Sequence, residues 1–429
     1  MRKTKIICTL GPAVDSPEVL ERLILAGMNV GRINFSHGNY QDQEERIENF
    51  KKVRAKVGKK VSLMLDTKGP EIRIGKFENG EIWLNPGATF TLKTEDIIGN
   101  KEQVSITYKN LYNEVSAGTV ILINDGLIKI KVTEIKGTDI VCQVIDGGKL
   151  TNTKSINIPG MEINLPSPTE KDIEDIKFGI KAGFDCIAAS FVRSAQDILN
   201  IKKVLQENGG EGIKIIAKIE NRQGIDNFDE ILEVSDGIMV ARGDLGVEIP
   251  MEEVPIRQKE FIRKCNRAGK PVIIATQMLE SMTHNPRPTR AEVSDVSNAV
   301  YDITSDIMLS GECAMGKYPV ECIEAMVKIS KATENSIHYW NRFYKRSFDH
   351  NKKDMGEAIA YTTAVTAEQI AADAIVAYTN TGKSIEKLAS VATECPVFAI
   401  TDDEKTFNQL SIVFNATPVL CENEKTIDD

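Results

Sequence analysis

The chain has 429 residues, more than one hydrophobic core usually organises, so two or three domains are expected. Hydrophobic residues make up 41% of it and charged residues 27%, which excludes a disordered chain. A net charge of −9 argues against a general affinity for nucleic acid or an anionic membrane, although local basic pockets can still hold small phosphorylated ligands.

The N-terminus, Met-Arg-Lys-Thr-Lys, runs within a few residues into a strand-like stretch, without the apolar region and cleavage site of a secretion signal. No apolar stretch approaches a membrane span. The eight cysteines show no Cys-x-x-Cys pair and no zinc-like spacing, which reads as reduced thiols. A cytoplasmic location is the expectation.

Short β-branched runs then alternate with amphipathic helical segments, as βα units do when they build a parallel sheet. Eight strands are predicted: Lys5 to Leu10, Asn29 to Phe35, Val61 to Thr67, Cys186 to Phe191, Lys214 to Ile219, Gly237 to Ala241, Pro271 to Thr276 and Asp306 to Ser310. Most are apolar nearly throughout, as strands covered on both faces are. Helical segments such as Ser16–Ala26, Ala195–Gln206 and Pro319–Lys331 follow them. The pattern predicts an α/β chain with a (β/α)₈ TIM barrel made of residues 1–70 and 166–340.

Residues 71–165 interrupt this rhythm. Alternating runs at Thr119–Ile123, Leu127–Thr133 and Ile140–Ile145, with turn signals Asn-Asp-Gly at 124–126 and Asp-Gly-Gly at 146–148, predict a small inserted β-barrel domain. It is too long for a βα loop and reads as a lid over the barrel mouth. From 341 to 429 the α/β rhythm resumes, with strands Ala374–Tyr378 and Val397–Ile400. This C-terminal domain reads as incomplete, because the chain ends at Glu-Lys-Thr-Ile-Asp-Asp where another helix would begin.

A (β/α)₈ barrel builds its active site at the C-terminal ends of its strands. There the sequence places Arg32, Lys68, Arg73, Lys218 and Arg242 as cations, and Asp66, Glu71, Glu220, Asp244 and Glu312 as carboxylates. Carboxylates suit Mg²⁺, and phosphoryl transfer asks the protein mainly for a metal and cations placed against the moving group. Any single residue of this kind is more often a solvated rim residue or half of a salt bridge. Lys218 and Glu220 stand out, since strand alternation puts them on one side of a run too apolar to leave a lysine unpaired. His37 reads equally as a ligand or as a local hydrogen-bonding residue; His284, His338 and His350 read as structural, and Cys313 as a packing thiol.

Five long runs, Thr-Lys-Ile-Ile-Cys-Thr-Leu-Gly-Pro (4–12), Asn-Phe-Ser-His-Gly (34–38), Asp-Thr-Lys-Gly-Pro-Glu-Ile-Arg (66–73), Met-Val-Ala-Arg-Gly-Asp-Leu-Gly-Val-Glu (239–248) and Ala-Thr-Gln-Met-Leu-Glu-Ser-Met (275–282), occur in order. They resemble the signature segments of pyruvate kinases. The resemblance implies transfer of a phosphoryl group from phosphoenolpyruvate to ADP, giving pyruvate and ATP, with Mg²⁺ (or Mn²⁺) and K⁺ as cofactors, in a homotetramer. It implies Glu220 and Asp244 as Mg²⁺ ligands, and Asn34, Ser36, Asp66 and Thr67 as the K⁺ site, with Glu71 as the acidic position that accompanies K⁺ dependence. It further implies Lys218, Thr276, Arg32 and Arg73 as catalytic residues, Thr276 near the substrate methylene. Ala241, Arg242, Gly243 and Asp244, with Lys218 and Thr276, would hold the substrate, its carboxylate on the amides of a short helix. Arg32, Asn34, His37, Asp125 and Lys154 would face the nucleotide.

The C-terminal loop Thr379-Asn-Thr381-Gly382-Lys383-Ser384 gathers hydroxyls, amides and a lysine at a helix start. Ala377 replaces the first glycine of a P-loop, so nucleotide hydrolysis is not expected, whereas in the resembling family the corresponding loop binds an allosteric effector's phosphate. The segment 302–306, Cys313 and Ser155 depart from the commoner pattern of that family. Two other readings stay open: a magnesium-dependent aldolase or lyase of the barrel class, and an inactive sensor or scaffold.

Overall fold

The computed structural model describes residues 1–162, 164–345 and 354–421. Eight parallel strands close into a barrel: β1 (Lys5–Thr9), β2 (Val30–Asn34), β3 (Ser62–Asp66), β4 (Cys186–Ala189), β5 (Lys214–Ile219), β6 (Gly237–Ala241), β7 (Val272–Ala275) and β8 (Asp306–Leu309). Closure comes where β1 pairs β8, Lys5 opposite Asp306. Every strand predicted for the barrel is present, with ends within two residues of the expectation.

The period of two along each strand divides the core. Ile7, Val30, Met64, Ile216, Met239, Ile273 and Met308 belong to one buried cluster, while their neighbours Ile6, Cys8, Leu63, Leu65, Ile215 and Ile274 pack with the surrounding helices. Local chemistry starts the helices on time. Ser16 accepts the Val19 amide with Pro17 as the first helical residue, and Thr169 with Asp172 and Thr289 with Glu292 form capping boxes.

The insertion is a seven-stranded, mostly antiparallel sheet that runs, in spatial order, Ile72–Arg73, Ser155–Asn157, Val120–Ile123, Ile128–Lys136, Asp139–Asp146, Thr89–Lys93 and Gln103–Ser105. Its two edges meet at a bridge between Ile74 and Ile106, where the Thr107 amide donates to the Arg73 carbonyl at 2.9 Å, so the sheet curls nearly shut around its own core. Asn124, Asp125 and Gly126 all take positive φ, as a tight hairpin turn demands. The second turn signal behaves differently. At 146–148 the chain does not reverse; it passes from one sheet into strand Gly148–Thr151, which pairs with Glu81–Leu84. Gly147 is needed there for space, since a Cβ would sit 2.3 Å from the Leu84 carbonyl oxygen.

The C-terminal unit carries a three-stranded parallel sheet, β9 (Ile375–Tyr378), β10 (Val397–Thr401) and β11 (Ala416–Leu420), the last not anticipated from sequence. It packs beneath the barrel floor. The Ser62 hydroxyl bonds the Asn408 carbonyl, and Gln409 Nε2 donates to the carbonyls of Asp185 (2.9 Å) and Gly212 (2.6 Å). The helix expected at the chain's end, and His350, lie outside the described residues. Among the described residues no helix is long and apolar enough to cross a membrane. All eight cysteines are unpaired thiols and seven are buried.

Candidate active site

At the C-terminal end of the barrel one buried lysine organises three strands. Lys218, on β5, donates from Nζ to Ser190 Oγ at 2.7 Å, and pairs with Asp66 Oδ1 and Glu220 Oε1, each at 3.0 Å. Asp66 ends β3, and its other oxygen accepts Arg32 Nε from β2 at 2.6 Å; Arg32 also donates to Thr9 Oγ1 at 2.8 Å. Burial alone would raise the Asp66 carboxyl, but Arg32 and Lys218 outweigh it and hold it below the usual range. Burial would likewise discharge Lys218, yet Asp66 and Glu220 keep its pKa raised, so it stays an ammonium.

Glu220 has the opposite balance. Burial raises its carboxyl to about 7, against the pull of Lys218, and the charges of Asp244 and Asp66 add to the rise. Asp244, in the first turn of helix Arg242–Glu248, is also raised, first by burial and further by Asp125, Asp66 and Glu71 against the pull of Lys218. One buried and one half-buried carboxylate, each raised and each repelling the other, form a donor set suited to a hard dication.

Strained backbone surrounds this cluster. Phe191 (φ 55°) turns its amide onto Glu220 Oε2 at 2.6 Å. Thr276, a β-branched residue at φ 69°, places Oγ1 2.8 Å from the Gly243 amide while donating to the Ala275 carbonyl at 2.6 Å. The Gly243 amide is thus already taken by the Thr276 hydroxyl.

A cleft of about 370 Å³ opens between barrel mouth and lid, walled by His37, Glu71, Arg73, Asp125, Lys154 and Asp244, among others. Glu71 clamps Arg73 through both oxygens, at 2.6 and 2.8 Å, and holds Lys68 at 3.2 Å. The lid touches the helix that carries Asp244: Asn157 Nδ2 donates to Glu248 Oε1 at 2.9 Å, and the 124–126 turn lies against Val247. At the mouth's other side, Asn34 on β2 faces Asp66 across the strands, and its side chain caps the Ser36 amide at 3.0 Å. Thr67 follows and hydrogen-bonds Ser190.

Two charged residues expected at the mouth do not face it. The Arg242 guanidinium reaches Asp295 at 2.8 Å and the Thr276 carbonyl at 2.7 Å, so it pins the β6 and β7 ends together. Glu312 is fully buried, its oxygens taken by the amides of Leu279 (3.1 Å) and Ser310 (2.7 Å). The hydrogen bond with Cys8, and after it burial, hold the Cys313 thiol well above its ordinary pKa, in keeping with packing. The loop of Thr379, Thr381, Gly382, Lys383 and Ser384 lies in the C-terminal unit, apart from the cleft; Gly382 takes φ 79° and its amide donates to Thr379 Oγ1 at 3.0 Å. Sequence reasoning missed Ser190, the Phe191 amide, Thr9 and the cleft residue Asn157. The strand-end rule, applied to β1 and β4 as it was to the others, finds Thr9, Ser190 and Phe191.

Comparison with known proteins identifies relatives along the whole chain. The family profile described as "Pyruvate kinase, barrel domain" matches residues 1–323, and "Pyruvate kinase, alpha/beta domain" matches 357–429. A protein named pyruvate kinase from Sporosarcina psychrophila is 49% identical over all of this chain and 73% of its own length. Those of Clostridium acetobutylicum and Clostridium perfringens are 47% and 46% identical, each over all of this chain and 91% of theirs.

Proposed function

Because the chain belongs to the pyruvate kinase family, a family of phosphotransferases that carry a phosphoryl group from phosphoenolpyruvate to ADP, we propose how its own residues divide that work. The observation that carries the reading is the buried Lys218, held charged between Asp66 and Glu220 beside the cleft wall of Asp244. Glu220 and Asp244 would hold Mg²⁺ (or Mn²⁺), as their donor chemistry supports. Bound there, the ion supplies positive charge to the phosphoryl oxygens. Lys218 Nζ donates to the group in transit, and Arg32 and Arg73 orient phosphate oxygens. Asn34, Ser36, Asp66 and Thr67 would hold K⁺, supported by the register that sets Asn34 opposite Asp66; Glu71 keeps that rim acidic.

Phosphoenolpyruvate lies with its carboxylate at the Ala241–Asp244 helix start, and Thr276 Oγ1 passes a proton toward the enolate methylene. His37, Asp125 and Lys154 line the nucleotide side, and the lid (71–165) excludes water as it closes on the barrel (1–70 and 166–340). Residues 341–429 carry regulation, with an effector phosphate on Thr379, Thr381, Gly382, Lys383 and Ser384. The protein works in the cytoplasm as a homotetramer, at the last step of glycolysis.

Pyruvate formation by the wild-type protein, Glu220→Gln and Asp244→Asn, each titrated with Mg²⁺, tests this assignment. Both variants should need far more Mg²⁺ for half-maximal rate; an unchanged requirement in both overturns the metal assignment.

A further inference from the structure

A second cavity, of about 270 Å³, lies on the seam between barrel and C-terminal unit, far from the lid. Helix Val254–Ala268 lends it Arg263 and Arg267, one turn apart on one face; helix Tyr339–Lys345 lends Arg342 and Lys345. Ser390, Val391 and Ala392 close it from the C-terminal unit. Among the described residues no carboxylate lines it and none of the four cations forms an ion pair. Arg342 spends one donor on the Tyr301 carbonyl. Helices Val254–Ala268, Arg290–Tyr301 and Lys383–Ser390 end at or beside it, each contributing about half a negative charge, against four full positive ones. The wall also contains an unanswered donor. Tyr339 is only 3% exposed and its hydroxyl has no hydrogen-bond partner among the described residues.

Like charges placed one turn apart repel, so the wall carries an excess of positive charge that an anion with hydrogen-bonding oxygens would offset. At about 270 Å³, near the roughly 300 Å³ at which small-molecule pockets usually begin, the cavity has room for pyrophosphate or a sugar phosphate. We propose that this cavity is a second anion site, taking a small phosphate-bearing metabolite that bridges the barrel to the C-terminal unit. It is separate from the Thr379–Ser384 loop. The two stand at opposite ends of helix Lys383–Ser390, eight residues and about 12 Å long, so an occupant of either can bias how that helix seats against the barrel.

Calorimetric titration of the full chain with pyrophosphate, and separately with a hexose monophosphate, at one fixed ionic strength tests the proposal without reference to catalysis. Wild type should bind at least one of the two probes. Arg263→Ala/Arg267→Ala, at two exposed positions, should weaken that binding by about tenfold or more, the worth of one charge-assisted contact. Arg267→Glu should do the same should the double variant prove unstable. Lys383→Ala should remove only what binds at the Thr379–Ser384 loop and leave the arginine-dependent binding intact. Absence of binding to wild type, unchanged affinity in the arginine variants, or loss of the arginine-dependent binding in Lys383→Ala would each overturn the proposal.

Discussion

Replacing Lys218 with methionine keeps most of the side chain's length and apolar stem and removes its charge. Three contacts go with it, to Ser190 Oγ (2.7 Å), Asp66 Oδ1 and Glu220 Oε1 (3.0 Å each). The cluster then holds Arg32 alone against Asp66, Glu220 and Asp244. Loss of one preorganised donor to a developing charge typically costs about 2.7–4 kcal/mol, a fall of about 10²–10³ in kcat. Two consequences separate this cause from simple damage. Enolpyruvate supplied chemically should still ketonise, within about tenfold of the wild-type rate, because no phosphoryl group moves in that half-reaction. Thermal unfolding should also remain one cooperative transition, at a lower midpoint, since a buried ion pair has lost one member. The assay is steady-state pyruvate release beside enolpyruvate consumption on the same preparation. A kcat within about tenfold of wild type refutes the reasoning, as does an equal loss in both half-reactions.

Other expectations follow from single contacts. Glu71→Lys reverses the charge that now clamps Arg73 and Lys68 and should make the rate in Na⁺ equal that in K⁺; a retained K⁺ requirement contradicts the role given to Glu71. Gly147→Ala drives a Cβ against the Leu84 carbonyl and should destabilise the lid by about 1–3 kcal/mol in urea unfolding, with no cost if the backbone there is free to shift. Asp185 supplies a pH test, because burial raises its carboxyl from 3.8 to about 6. Between those values the folded protein holds a proton that the unfolded chain has released, so stability falls as pH rises from about 4 to 6, by up to roughly 3 kcal/mol. Asp185→Asn should lack that component, and a wild-type-minus-variant difference that stays flat across the window would show the sign or size to be wrong.

The barrel was legible because its strands are buried on both faces, so runs such as Lys214–Ile219 and Gly237–Ala241 are apolar at nearly every position and bounded by polar strand ends. The lid was legible from alternation and from Asn124-Asp125-Gly126, though Gly147 misled: composition marks a glycine without saying whether it serves a reversal or a close approach. Strand β11 went unseen because Ala416-Thr-Pro-Val-Leu is short, contains proline and earns its place by pairing with β10. Position relative to a strand end predicted backbone placement well, as Lys218, Asp66 and Asp244 show. It could not predict direction. Arg242 and Glu312 satisfy the same rule, yet turn away to Asp295 and to the amides of Leu279 and Ser310, because nearby unpaired groups claimed them first.

Phosphorus NMR of the protein with phosphoenolpyruvate and ADP tests the central claim most directly. The phosphorus lost from phosphoenolpyruvate should reappear as the γ-phosphorus of ATP, one for each pyruvate formed, and nothing should turn over without ADP. Release as inorganic phosphate, or consumption of phosphoenolpyruvate in the absence of ADP, would contradict it.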